Sequence, residues 1–150
     1  MTDSFGSPVN PDEIKSDERM LALFSHLSLF FGGILLPIIF WATNKDKSKF
    51  VTFHALQSLW FHVAYVVLII ILAVVVLVGG MGISLAFSGG SNDPPIFLFI
   101  AIIAFYAILF AFIFGGIGLS VYMGIKSYKG NFVKYPIIGK MVYNKVYASV

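Results

Sequence analysis

His54, Ser58 and His62 recur every four residues, a spacing that aligns three polar side chains along one helix face. Gln57 falls in the same stretch, and the third histidine, His26, stands between Ser25 and Ser28 in a separate apolar run. Imidazole can ligate a metal, pass a proton or hydrogen-bond across helices. His26, His54, Gln57, Ser58 and His62 therefore form the candidate polar cluster. A zinc site needs three or four close ligands, whereas histidines eight residues apart on one helix lie about 12 Å apart. The chain has no cysteine, so thiolate ligands and a thiol nucleophile are excluded. Three readings stay open: hydrogen bonding between helices, which these residue types favour, a transport or proton path, and a metal site. No catalytic residue, resident metal or cofactor is expected. HExxH, Walker, GxSxG and dinucleotide motifs are all missing from the sequence.

A second candidate is a packing face. Ala107, Ala111 and Gly115 are spaced by four, as are Gly116, Ser120 and Gly124. Small residues at that spacing let helices approach closely in lipid. They serve either intramolecular packing or association with a second copy or another membrane protein.

The elements that carry these residues belong in a bilayer. Hydrophobic residues make up 59% of the 150-residue chain and charged residues 11%, with mean hydropathy +0.92. A soluble domain is about 25% charged, and a chain this apolar has too little polar surface to cover its core. A soluble enzyme, a disordered tail and a nucleic-acid module are excluded on that ground. The fold class is all-α: a polytopic membrane protein with three transmembrane helices and a kinked or re-entrant first span.

Residues 1–19 form a polar segment with a helix start at Asn10-Pro11, where Asn10 caps. Residues 20–127 form the transmembrane domain, with spans at about 20–41, 52–78 and 95–124. Gly32-Gly33 and Pro37 predict a kink or break in the first run. That run is either one kinked span or two short helices that dip in and return. Gly79-Gly80-Met81-Gly82 and the Gly/Ser/Pro-rich stretch at 88–94 bracket a connection, after which Asn92 or Asp93 caps the third helix. Residues 128–150 form a basic, aromatic interfacial tail in which lysines alternate with tyrosines, interrupted by Gly130 and Pro136.

Lysines crowd the 43–49 loop and the tail, and the 79–94 connection has none. The positive-inside rule then places both lysine-bearing segments in the cytoplasm. The expected location is the cytoplasmic (inner) membrane of a prokaryote, multi-pass, with a cytoplasmic C-terminus. The expected partners are the lipid bilayer and either other copies or other membrane proteins, and not nucleic acid.

Several motifs in order carry a resemblance. Glu18-Arg19 precedes the run containing His26, followed by Leu36-Pro37-Ile38-Ile39-Phe40-Trp41 and a Lys/Asp loop. Phe50-Val51 then leads into His54-Ala55-Leu56-Gln57-Ser58-Leu59, and Lys129-Gly130 and Tyr135-Pro136 close the pattern. From residue 17 to about 136 the chain resembles a small prokaryotic membrane-protein family of unknown function, grouped with the chloroplast inner-envelope protein-import component of the Tic complex. It departs from that pattern at Trp60 and His62, where the family tends to carry Asn and Gln. The resemblance implies a helical bundle and an accessory or scaffold role in membrane-protein assembly or protein translocation. The alternative, from the polar stripe itself, is a small oligomeric transporter or channel.

Overall fold

The computed structural model describes residues 11–87 and 96–147, and every regular element among them is helical. A 3-10 turn at Pro11–Glu13 leads into α1 (Ser16–Leu27). A second such turn at Ser28–Phe30 is followed by α2 (Leu35–Asn44), α3 (Lys49–Phe87), α4 (Ile96–Tyr128) and α5 (Ile138–Tyr147). Asn10, Asn92 and Asp93, the expected caps, lie outside the described residues. The first full helix starts at Ser16, later than the Asn10-Pro11 signal predicts, and the Glu18 carboxylate accepts the Lys15 backbone N–H at its first turn.

Among the described residues two helices, not three, are long and apolar enough to cross a membrane, over Lys49–Ile83 and Phe99–Tyr128. The first apolar run does not form a span. α1 has 12 residues and α2 has 10, or about 18 and 15 Å, against a hydrocarbon core of about 30 Å. The break lies at the glycine pair. The Ser28 carbonyl gathers the N–H groups of Phe31, Gly32 and Gly33, and Gly33 takes φ +49°, a left-handed conformation that suits glycine. Pro37 causes no kink, because α2 begins only at Leu35 and places the proline in its first turn, where no intrahelical N–H is required.

α3 runs further than the glycines at 79–82 predict, continuing through them to Phe87. Glycine weakens a helix in water mainly through backbone freedom and exposure. In lipid a broken backbone has no solvent to turn to, so the helix persists.

The chain divides into two compact units. One holds the described residues through Ala64 and those from Ile117 onward; the other is Tyr65–Gly116. The first has a core of Ile14, Ala22, Phe50, Val51, Phe53, Leu56, Phe132 and Val142. The segment after α4 thus supplies Phe132 and Val142 to that core and Tyr135 beside it, while Lys140 and Lys145 stay exposed. A tight turn before α5 makes this possible. The Ile138 N–H reaches the Pro136 carbonyl at 2.7 Å across Ile137, which takes φ +66° and is 91% exposed. A β-branched residue is strained there.

The second unit consists of two apolar helical stretches. Val66, Val67, Ile70, Ile71, Leu77 and Val78 on α3 are exposed, as are Ile100, Ile103, Ile108 and Phe110 on α4. Helices apolar all round belong in lipid. Their polar tie is Tyr65, whose hydroxyl donates to the Ile113 carbonyl at 2.7 Å and whose ring stacks on Phe112. A Cβ added at Gly116 would collide with that ring, whereas one at Gly115 would meet open space.

Two predictions follow from these positions, read by thermal unfolding in detergent. Gly116→Ala destabilises by about 1–3 kcal/mol through overpacking, while Gly115→Ala is neutral or stabilising by up to about 1 kcal/mol. Ile137→Gly stabilises by about 1 kcal/mol, because it removes a left-handed β-branched residue and no buried contact.

Candidate functional site

The polar cluster is assembled in the first unit. Residues 51–58 of α3 are all buried, so its first turns form the centre of that unit. His26, His54, Gln57, Ser58 and His62 are each 0% exposed. α1 sets His26 between α3 and the segment after α4. Its Nε2 lies 3.1 Å from Nδ1 of His54, and its Nδ1 lies 3.1 Å from the Tyr135 hydroxyl.

Gln57 decides the direction of these bonds. Its Nε2 donates to the Val133 carbonyl at 2.8 Å, and its Oε1 accepts the Tyr135 backbone N–H at 3.3 Å. Those two backbone partners fix the amide, so the same Nε2 also points N–H at His54 Nδ1, 3.3 Å away. His54 Nδ1 is then an acceptor, His26 donates to it from Nε2, and Tyr135 donates its hydroxyl proton to His26 Nδ1. One continuous chain of donors runs from Tyr135 through His26 to His54.

The remaining nitrogen of that chain, His54 Nε2, is buried and has no hydrogen-bond partner. The ring is boxed by Phe50 and Phe53, at centroid separations of 4.5 and 5.0 Å. Phe61 stacks flat on Tyr135 at 4.2 Å and holds that ring in line.

Serines finish the site by capping the end of α1. Ser58 donates to the Ser25 carbonyl, Ser120 to the His26 carbonyl, and the Ser28 hydroxyl lies 2.8 Å from the Ser25 carbonyl and 3.0 Å from that of Gly33. Carbonyls at a helix end have no partner within the helix, and buried ones must find a donor elsewhere. His62 sits at the edge of this group, with Ser28 Oγ 3.4 Å from its Nδ1 and Ser58 Oγ 3.5 Å from its Nε2.

Burial holds His26 well below its ordinary titration range, and the imidazoles of His54 and then His62 push it the same way. Burial drives the Tyr135 hydroxyl up, and the nearby Ser120 side chain acts against it to a lesser degree. Both groups are neutral at physiological pH, as the donor chain requires.

The structure thus brings His26, His54, Gln57 and Ser58 into one network and leaves His62 on its margin. Among the described residues no three His, Asp or Glu side chains are grouped to hold a metal ion. The two small-residue stripes part company. Ser120 caps α1, and Gly124 gives room to Leu23, which a Cβ there would approach to 3.1 Å. Ala107, Ala111 and Gly115 are exposed. Tyr135 is the member absent from the polar cluster expected from the sequence, where it figures only in the Tyr135-Pro136 step. It lies 109 residues from His26 in a non-helical segment, and the one local signal is its place before Pro136.

Two outcomes test the network. Gln57→Leu strands the Val133 carbonyl and the Tyr135 N–H and costs about 2–4 kcal/mol in unfolding experiments. The second concerns pH. The folded state keeps His26 neutral, whereas an unfolded imidazole takes a proton near pH 6.5. Stability from this group is complete above about pH 6.5 and declines as the pH falls below it. The decline is shallower in His26→Asn.

The magnetosome magnetite crystal formation protein family matches residues 17–142. No curated protein and no solved structure matches the chain. The motifs that resemble the chloroplast import component find no support in these comparisons, and neither protein translocation nor transport attaches to the chain through them. The match covers most of the sequence: the chain belongs to the magnetosome magnetite crystal formation protein family.

Proposed function

We propose that this member of the magnetosome magnetite crystal formation family is a non-enzymatic accessory or scaffold protein of the magnetosome membrane. Its two apolar helices anchor it, and its compact helical unit offers a surface to other membrane proteins or to further copies. The closed state of the polar cluster carries this reading. Catalysis or conduction needs polar groups that open to a cleft or a pore. Here His26, His54, Gln57, Ser58 and Ser120 are fully buried, and their bonds run to one another and to the backbone. Such a network orders helices relative to one another.

The placement of lysines supports the cytoplasmic side for the loop before α3 and for the segment after α4. Lys45 and Lys47 precede α3 and Lys49 opens it, Lys126 lies in the last turn of α4 and Lys129, Lys134, Lys140 and Lys145 follow it, whereas no lysine or arginine occurs from 50 to 125.

The test has two arms. In a magnetite-forming bacterium, loss of the protein alters crystal size or shape in electron micrographs while the membrane compartments remain, and the intact chain restores it. In proteoliposomes the purified protein gives no ferrous-ion or proton flux above that of empty vesicles. Flux that disappears in His54→Gln/His62→Gln would replace the scaffold reading with transport.

A further inference from the structure

The α1–α2 segment is built as an out-and-back excursion, and contacts along α3 and α4 measure its depth. At the start of α1, Ser16 and Arg19 line one small cavity with Tyr128, the last residue of α4. One turn on, Leu23 faces Gly124, and at the far end the His26 carbonyl meets Ser120. From Tyr128 to Ser120 is eight residues, or about 12 Å along the helix. On α3 the far end is marked by Ser28 beside His62, and the return by the Asn44 carbonyl, which accepts the Thr52 hydroxyl at 3.1 Å. Ten residues separate Thr52 from His62, or about 15 Å. Both legs therefore travel about half the thickness of a hydrocarbon core of about 30 Å.

Three independent features suit this excursion to lipid. Residues 20–43 carry no formal charge if His26 is neutral, whereas Lys15, Asp17, Lys45, Asp46 and Lys47 are exposed at its two ends. The far end and the return leg turn Phe30, Phe31, Leu35, Ile38 and Ile39 outward, with Phe31 62% and Leu35 70% exposed. Much of the backbone at the reversal finds partners from within, since Ser28, Ser58 and Ser120 occupy the Ser25 and His26 carbonyls and the Ser28 carbonyl takes the N–H groups of Phe31, Gly32 and Gly33. Irregular backbone survives at membrane depth only under that condition.

We propose that residues 20–43 are a monotopic insert. The α1–α2 hairpin enters one leaflet, contacts acyl chains through Phe30, Phe31, Leu35, Ile38 and Ile39, and returns to the face it came from. The start of α1, the Lys45–Lys49 loop and α5 then share one side of the membrane, and the chain crosses twice. Acyl chains are the occupant because the exposed face is continuous in composition with α3 and α4, whose own outward residues are apolar, and carries no hydrogen-bonding group a protein partner would read.

The absence of cysteine makes the test direct. Single cysteines replace Ser16, Lys47 and Asn144, all exposed, and react with a membrane-impermeant maleimide in intact cells and in inverted vesicles. The insert predicts that all three label from the same side; Ser16→Cys labelling opposite to the other two overturns it. A second measurement asks what covers the tip. In a Trp41→Phe/Trp60→Phe background, Phe31→Trp and, separately, Leu35→Trp are placed in vesicles containing brominated-chain lipids. Blue-shifted emission that the bromolipid quenches supports insertion. Emission that bromolipid leaves unchanged in both variants means that water, a second copy or another protein covers the tip, and overturns it.

Discussion

Four segments of this chain are tied together through His26. Its backbone carbonyl takes the Ser120 hydroxyl from α4, its Nδ1 takes the Tyr135 hydroxyl from the segment after α4, and its Nε2–H goes to His54 on α3. Each bond contributes only about 1 kcal/mol net, but removing a partner leaves a buried polar atom with nothing to bind, which costs more. The network is therefore close to all-or-none. A half-formed version is worse than an apolar core, and that makes the arrangement of α1, α3, α4 and the closing segment specific.

The reversal between α1 and α2 depends on the same economy of hydrogen bonds. Ending a helix frees carbonyls, and here serines from α3, α4 and the turn itself receive them. Gly33 supplies the left-handed step and Gly32 leaves room for Leu36. Without the serines the apolar run from 20 to 41 would gain more by staying helical across its length, since an unbroken helix satisfies its own backbone.

The two units divide the physics of the chain between them. One buries imidazoles, an amide and hydroxyls in a network that leaves His54 Nε2 without a partner, beside a small aromatic core. The other turns aliphatic side chains outward along most of its length and relies on Tyr65 for its polar tie. Membership of a family concerned with magnetite crystal formation sets this design in a membrane context. Within the compact unit, polar side chains hydrogen-bond between helices and to the backbone.

Composition and periodicity alone determine that the chain is helical and lipid-facing, with three apolar runs that each read as a span, and that His54, Gln57, Ser58 and His62 are gathered on one stretch of helix. These are local properties: the 3.6-residue repeat and the length of an apolar run need no other part of the chain. Only the tertiary structure decides that residues 20–41 break into a hairpin, because Gly32-Gly33 is compatible with a kink until distant serines cap the broken end. It also decides that Tyr135, rather than His62, completes the histidine chain, and that Phe132 and Val142 leave the tail for the core. Those pairings join residues up to 109 positions apart. No spacing rule connects them; they exist because a buried donor or acceptor must find a partner wherever the fold brings one within about 3 Å.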